Sequence, residues 1–135
     1  MLYCFIVLIK WKKKYLTLND IESYTRSFKL SNTIWEIIIL WNSFAKDTIG
    51  KQFVRAADSI SANIAEGFAR HSKKEKVHFY RIAKKSVSEC LDWNQKSKVR
   101  KLITDDEYNL IFLELKEFPR LLNTLIKYTN QKLKQ

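Results

Sequence analysis

Apolar residues recur along most of this chain at spacings of three and four, which is the pattern of one face of an α-helix. The clearest case lies near the middle of the chain, where the apolar positions are Phe53, Ala57, Ile60, Ile64 and Phe68. Most residues between them are Ala, Ser or Gly, so neighbouring helices can approach this backbone closely. The pattern predicts a thin core helix around which the rest of the chain packs.

A line of polar residues follows a second face of the same helix. Arg55, Ser59 and Asn63 recur at helical spacing, and Glu66 stands four residues before Arg70, the favourable order for an ion pair. We expect these polar groups to be satisfied by neighbours within the core. Such a seam can also fix the register between subunits, because buried polar groups tolerate few alternative packings.

The same periodicity predicts three further helices. We expect them at residues 21–43, 73–98 and 105–130, with the helix described above at 48–69. Two glycines and one proline are too few for the turns of a β-sheet protein. The sequence therefore predicts a single all-α domain, an antiparallel up-down-up-down four-helix bundle over residues 18–130.

Several residues mark the helix ends and the faces that should be buried. Pro119 lies inside the last predicted helix, so we expect either a kink there or two shorter helices. The run from Ile37 to Trp41 is apolar nearly all round, which indicates burial on several sides or a subunit contact. The predicted caps are Asn19 or Asp20, Asp47 or Thr48, Ser72 with Glu75, and Thr104 with Glu107. The predicted core stripes are Ile21, Tyr24, Phe28, Ser31, Ile34 or Trp35, Ile38 and Trp41 in the first helix, and Phe79, Ile82 or Ala83, Ser86, Cys90 and Trp93 in the third.

The two ends of the chain fall outside the predicted bundle. Residues 1–17 form an apolar and basic extension, and residues 131–135 a tail that we expect to fray. The apolar run at residues 1–9 is too short to span a bilayer, and its lysines follow it rather than precede it as in a secretory signal. It could pack on the bundle, have no structural role, or anchor the chain at a membrane surface.

Positive charge is concentrated in one part of the chain. Of the net charge of +11, residues 71–103 contribute seven, from ten basic and three acidic residues, and residues 1–20 contribute three. Such an uneven distribution favours a polyanionic partner, with anionic lipid as a competitor. The candidate binding residues are Lys74, His78, Arg81 and Lys85 in one helical stripe, Lys84 beside it, and Lys96, Lys98, Arg100 and Lys101 towards and past the helix end.

This basic stripe has a simpler interpretation as a solvated helix face. Like charges four residues apart cost a helix a few tenths of a kcal/mol each, so stability alone gives no reason to cluster them. We therefore favour a binding role.

The sequence offers little chemistry for catalysis. There is no glycine-rich phosphate loop, and Cys4 and Cys90 lack metal-ligand spacing. His71 and His78 are seven residues apart without a third ligand, so neither a metal nor another cofactor is expected. No nucleophile with its base is recognisable. We predict a non-enzymatic protein, cytoplasmic because its two cysteines show no disulfide pattern.

Three motifs resemble those of a known family, the four-helix-bundle proteins encoded in intervening sequences of 23S ribosomal RNA genes, also called S23-type proteins. The resemblance covers roughly residues 18–130. The motif in the second helix is Gln52, Phe53, Val54, Arg55, Ala56, Ala57, Ser59, Ile60, Asn63, Ile64, Ala65, Glu66, Gly67 and Arg70. The others are Phe79, Tyr80, Ile82, Ala83, Ser86 and Glu89 in the third helix, and Leu121, Leu122, Leu125 and Ile126 in the last.

The resemblance implies a ring-like homopentamer without catalytic residues. A related branch, the accessory protein of diversity-generating retroelements, is a basic pentamer that binds nucleic acid and a reverse transcriptase. We therefore predict an oligomer that binds structured RNA or DNA through its basic surface. The alternative is a module that docks an acidic protein partner such as a reverse transcriptase. Residues 1–16 and Pro119 depart from the family pattern.

Overall fold

The structure is a computed structural model that describes residues 16–132. All regular structure in this part of the chain is helical. A 3₁₀ turn at Leu18–Asp20 leads into the first helix, and a short helix at Ser43–Ala45 and a π-helical turn at Lys46–Gly50 lead into the second. The main helices are α1 (Glu22–Ile38), α2 (Lys51–Ala69), α3 (Lys73–Val99), α4 (Asp105–Leu115) and α5 (Phe118–Lys132).

These helices form the predicted four-helix bundle, with α4 and α5 together making its fourth arm. α2 packs between α1 and α3, while α4 and α5 follow one another along α3 and also contact α1. The short connections make successive arms antiparallel. Residues 1–15 and 133–135 lie outside the described residues, so most of the predicted extension and part of the tail do too.

The core is built around α2, as the apolar spacing predicts. Phe53, Ala57, Ile60 and Ile64 are fully buried, and Phe68 packs against the edge of the core. The other arms contribute large buried side chains to the same cluster: Ile34 from α1, Tyr80 and Val87 from α3, Ile111 and Leu115 from α4, and Phe118 and Leu122 from α5.

The prediction for the α1–α2 connection was wrong. α1 ends at Ile38 instead of Ser43, and the helical path resumes at once because the Asn42 side chain accepts a hydrogen bond from Ala45 N at 3.0 Å. Thr48, a predicted cap, instead donates to the carbonyl of Phe44 within the helix. The apolar residues after Ile38 continue the helical pattern, which hid the break from the sequence.

The last predicted helix is two helices. The Thr104 capping box forms as predicted, with Glu107 N donating to Thr104 Oγ1 at 3.1 Å and Thr104 N donating to Glu107 Oε1 at 2.9 Å. The helix that it starts ends at Leu115, and α5 begins at Phe118. Pro119 then lies in the first turn of α5, where the missing backbone N–H costs nothing.

Most of the predicted core positions of α1 and α3 are buried, among them Ile34, Ile38, Ala83, Ser86 and Cys90, but several of the large ones are not. Phe28 and Trp35 are exposed, and Phe79, Ile82 and Trp93 are only half buried. On α3 the buried face is centred on Tyr80, Val87 and Asn94. The reason is that α2 packs on one flank of α3 and the fourth arm on the other, so the most buried line runs between them. The Ser72 cap of α3 forms as predicted, since Ser72 Oγ accepts from Glu75 N at 3.2 Å.

Candidate nucleic-acid interface

The basic stripe lies on the outer side of α3. Lys74, His78, Arg81 and Lys85 are all exposed there. Lys74, Arg81 and Lys85 make no hydrogen bond or ion pair with any residue between 16 and 132, and His78 makes only an edge contact with the ring of Phe79. These cations are therefore available to an external anion.

Two more lysines of α3 reach across to α5. Lys84 Nζ donates to Asn123 Oδ1 at 2.7 Å, and Lys73 Nζ donates to the carbonyl of Asn130 at 3.1 Å. Both partners are neutral, so the ammonium charges are not compensated. The seam between α3 and α5 is therefore lined by positive charge along its length.

Lys127 belongs to the same surface and was missed in the sequence analysis. It is exposed, four residues after Asn123 and three before Asn130, so it lies on the face of α5 that meets α3. The spacing of these three residues was the available signal, but it has meaning only once α5 is known to pack beside α3. We call Lys73, Lys74, Arg81, Lys84, Lys85 and Lys127 the α3–α5 face.

Acidic residues are sparse in the two helices where this face lies. α5 contains no Asp or Glu, and neither does α3 between residues 76 and 88. Lys76 points inward instead, where its Nζ donates to the carbonyl of Phe68 at 2.7 Å, and burial lowers the pKa of this amine. From Lys73 to Lys85 the face extends about 18 Å along α3, and the one carboxylate in this stretch, Glu75, accepts a hydrogen bond from Ser72 Oγ at the helix cap.

The remaining predicted cations form a separate group at the far end of α3. Lys96 Nζ pairs with Asp92 at 2.5 Å and lies 4.7 Å from the centre of the Trp93 ring. Lys98 Nζ lies 4.3 Å from the centre of the Tyr108 ring. These two cations are held by neighbours, which distinguishes them from the α3–α5 face.

Arg100 and Lys101 lie beyond the last turn of α3. Both are exposed, and the first turn of α4, which follows closely, carries Asp105 and Asp106. These acidic groups offset part of the local positive charge. The structure therefore divides the predicted binding residues into a free cationic face and a partly compensated end.

The family motif of α2 forms close contacts with α3. Ser59 Oγ and Ser86 Oγ are 2.8 Å apart, and Asn63 Nδ2 donates to Ser59 Oγ at 2.8 Å and to its carbonyl at 2.7 Å. A methyl group in place of the Gly67 hydrogen would lie 2.7 Å from Cε1 of Tyr80. These residues fix how α2 and α3 pack.

The charged members of the motif behave differently from one another. Arg70 pairs with Glu66 at 2.6 Å and lies 4.8 Å from the centre of the Phe79 ring. Arg55 does not take part in these contacts between α2 and α3. It borders a groove of about 280 Å³ between α1 and α2, beside Trp35. The helical spacing of Arg55 from Ser59 and Asn63 therefore gave a wrong prediction of its contacts.

Potential metal ligands are not grouped in the described part of the chain. Between residues 16 and 132, no three side chains of His, Cys, Asp or Glu are grouped so that they could hold a metal ion. Cys90 is buried, and desolvation raises the pKa of its thiol, which disfavours the reactive thiolate. None of the helices in these residues has both the length and the apolar content needed to cross a bilayer.

Comparison with known proteins decides the family. The family model of the 23S rRNA-intervening sequence protein matches residues 19–124. The chain belongs to this family. The match runs from the start of α1 into α5, so it includes most of the α3–α5 face but stops short of Lys127. It confirms the resemblance seen in the α2 motif.

A solved structure shows the same fold. It is the crystal structure of a protein with unknown function from the S23 ribosomal protein family of Bacteroides thetaiotaomicron VPI-5482, with a TM-score of 0.69 and 24% sequence identity. The alignment covers 78% of this chain and 98% of that chain. This likeness supports the fold alone. A search of curated proteins gives no match.

Proposed function

We propose that this member of the 23S rRNA-intervening sequence protein family is a non-enzymatic, oligomeric protein that binds structured RNA through its α3–α5 face. The observation that carries the proposal is a surface of six cations that no carboxylate neutralises, on two helices that pack side by side. The family description favours RNA as the polyanion. The proposal keeps the cytoplasmic location predicted from the free cysteines.

The physical basis is electrostatic and independent of sequence. Lysine and arginine side chains that neutralise phosphates release condensed counterions. Each contact therefore steepens the plot of log binding constant against log salt concentration, the log–log salt slope, by a little under one unit. Flexible lysines on a two-helix surface do not read base edges, so they position RNA without selecting a sequence. DNA of similar charge should bind through the same contacts.

Oligomerisation is proposed from a different surface. Trp35 is 53% exposed, and Phe28 on α1 and Ile39 just past the end of α1 are also exposed. Together with the α1–α2 groove they form an apolar strip, which monomeric proteins rarely leave uncovered. We assign this strip to contacts between copies, and the resemblance implies five copies in a ring.

A second candidate function rests on one end of the bundle. Leu40 and Phe44 are 84% and 79% exposed, and Val99, the last residue of α3, is 70% exposed. Phe44 borders a groove that also includes Arg100. Exposed apolar side chains beside a cation fit a protein partner, such as an acidic reverse transcriptase, better than they fit RNA.

The test is fluorescence anisotropy with a labelled RNA hairpin at about 50 and 200 mM salt. Arg81→Ala/Lys85→Ala should weaken binding and reduce the log–log salt slope by roughly two, because two phosphate contacts are lost. The matched control is Lys29→Ala/Arg120→Ala, which removes the same charge from grooves beside α1. It should leave the slope nearly unchanged.

Two outcomes would contradict the proposal. The first is a folded wild-type protein that does not bind RNA at the lower salt concentration. The second is equal loss of binding in the two double variants, which would mean that total charge matters and the α3–α5 face does not. Specific, weakly salt-dependent capture of one protein would instead favour the second candidate function.

A further inference from the structure

An ordered stack of one cation and two aromatic rings lies beside the C-terminal half of α3. Lys98 Nζ is 4.3 Å from the centre of the Tyr108 ring, and the Phe112 ring lies nearly parallel to it, with centres 5.8 Å apart and planes 8° apart. The Tyr108 hydroxyl donates to Gln95 Oε1 at 2.9 Å. Tyr108 is therefore held by a cation, a ring and a hydrogen bond.

Phe112 is the open end of this stack. It is 37% exposed, and no further ring contacts it among residues 16–132. Its own conformation is supported by Tyr108 one turn earlier on α4. Phe112 is therefore the more exposed ring of the stack, and the one that an external flat aromatic group would meet first.

The stack and the α3–α5 face lie on the same flank of α3. Tyr108 and α4 contact its last turns through Gln95 and Lys98, and α5 contacts its first half through Lys73 and Lys84. Since α4 and α5 follow one another in the same arm, the cationic surface and the aromatic stack lie in line along this flank. Two acidic residues of α3, Glu89 and Asp92, lie between them, and Asp92 is paired with Lys96. About 21 Å of helix separates Lys84 from Lys98.

We propose that the RNA bound by this flank is unpaired, with phosphates along the α3–α5 face and a base stacked on Phe112. The inference rests on the proposed function and names the part of the RNA that is recognised. A cationic groove that leads to aromatic rings is how proteins bind single strands, because every base has a π-face. In a duplex those faces are already stacked, so loops and bulges are the segments that can use Phe112.

The experiment compares a single strand with a duplex. Labelled oligo(U) of about 16 nucleotides and an RNA duplex of about 16 base pairs are titrated by anisotropy. Phe112→Leu keeps an apolar side chain but removes the ring, and should weaken oligo(U) binding about tenfold while leaving duplex binding unchanged. Leu113→Ala is the control, since Leu113 is an exposed neighbour without a ring.

A second measurement separates stacking from charge. Phe112→Leu should leave the salt slope for oligo(U) intact, whereas Arg81→Ala/Lys85→Ala should reduce it for both probes. Equal wild-type affinity for strand and duplex, or unchanged oligo(U) binding in Phe112→Leu, would overturn the inference and leave the proposed function standing. A changed oligomeric mass of Phe112→Leu in light scattering would also overturn it, because the ring would then pack between copies. Failure of both probes to bind would defeat the proposed function itself.

Discussion

Replacing Gly67 with alanine is the sharpest test of how α2 and α3 pack. In an exposed helix this change is favourable by about 1 kcal/mol, because alanine is the better helix former. At Gly67 the added methyl group would lie 2.7 Å from Cε1 of Tyr80 and 3.0 Å from the carbonyl oxygen of Lys76. Both distances are shorter than van der Waals contact, so something must move.

Neither neighbour can move easily. The Tyr80 ring is 2% exposed within the core, and burial raises the pKa of its hydroxyl to about 12. The Lys76 oxygen belongs to the backbone of α3. Overpacking of this kind costs about 1–3 kcal/mol. Over most of this range the cost exceeds the gain in helix propensity. With the gain in propensity subtracted, we expect Gly67→Ala to lower the free energy of unfolding by up to about 2 kcal/mol.

The assay is urea unfolding followed by circular dichroism, with the free energy of unfolding taken from the transition. Ala62→Gly, at an exposed position of α2, is the control for propensity and should cost about 1 kcal/mol. In Gly67→Ala/Tyr80→Leu the clashing ring atoms are gone, so the two changes should be strongly non-additive. A Gly67→Ala protein about 1 kcal/mol more stable than the wild type, as helix propensity alone predicts, would refute the close approach of α2 and α3.

Two further predictions concern an ion pair and the apolar strip. Arg26 binds Glu114 with two hydrogen bonds of 2.7 and 3.0 Å, which lower the pKa of Glu114. Glu114→Gln should therefore lower the free energy of unfolding in urea at pH 7 by about 1 kcal/mol. The carboxylate stabilises the fold fully above its unfolded pKa of about 4.3, and it loses this effect as pH falls through the lowered pKa of the folded state. The variant should therefore match the wild type in stability at low enough pH. A difference in stability that stays constant with pH would contradict this. Trp35→Glu should reduce the mass measured by light scattering while circular dichroism stays helical, and an unchanged mass would remove the strip from the proposed interface.

The sequence predicted correctly the helices whose apolar spacing is unbroken and points to a single buried face. Phe53, Ile60 and Ile64 follow an unbroken helical spacing, and all are fully buried. The break after Ile38 could not be found in this way, because apolar residues continue past it and the cap depends on the local geometry of Asn42. Periodicity measures the direction of an apolar face, but a cap is decided by a few hydrogen bonds.

The candidate site was predictable only in part for a related reason. A stripe on one helix, such as Arg81 and Lys85, is visible in one sequence segment. The contribution of Lys127 requires knowing that α5 packs against α3, and the stack of Tyr108 and Phe112 requires knowing that α4 continues the same arm. Surfaces that two helices share depend on tertiary contacts, so spacing within one helix cannot reveal them.

The two proposed surfaces lie on opposite edges of the bundle, and this has a consequence for binding. The apolar strip lies at the α1–α2 edge, and the cationic face lies at the α3–α5 edge. Contacts between copies through the strip would therefore leave every cationic face open to RNA. A long strand could bind several faces at once, and the linked contacts would raise its effective affinity without any new interaction. Trp35→Glu should then bind a short strand as the wild type does but lose affinity and salt dependence for a long one, whereas equal losses for both would mean that the strip itself contacts RNA.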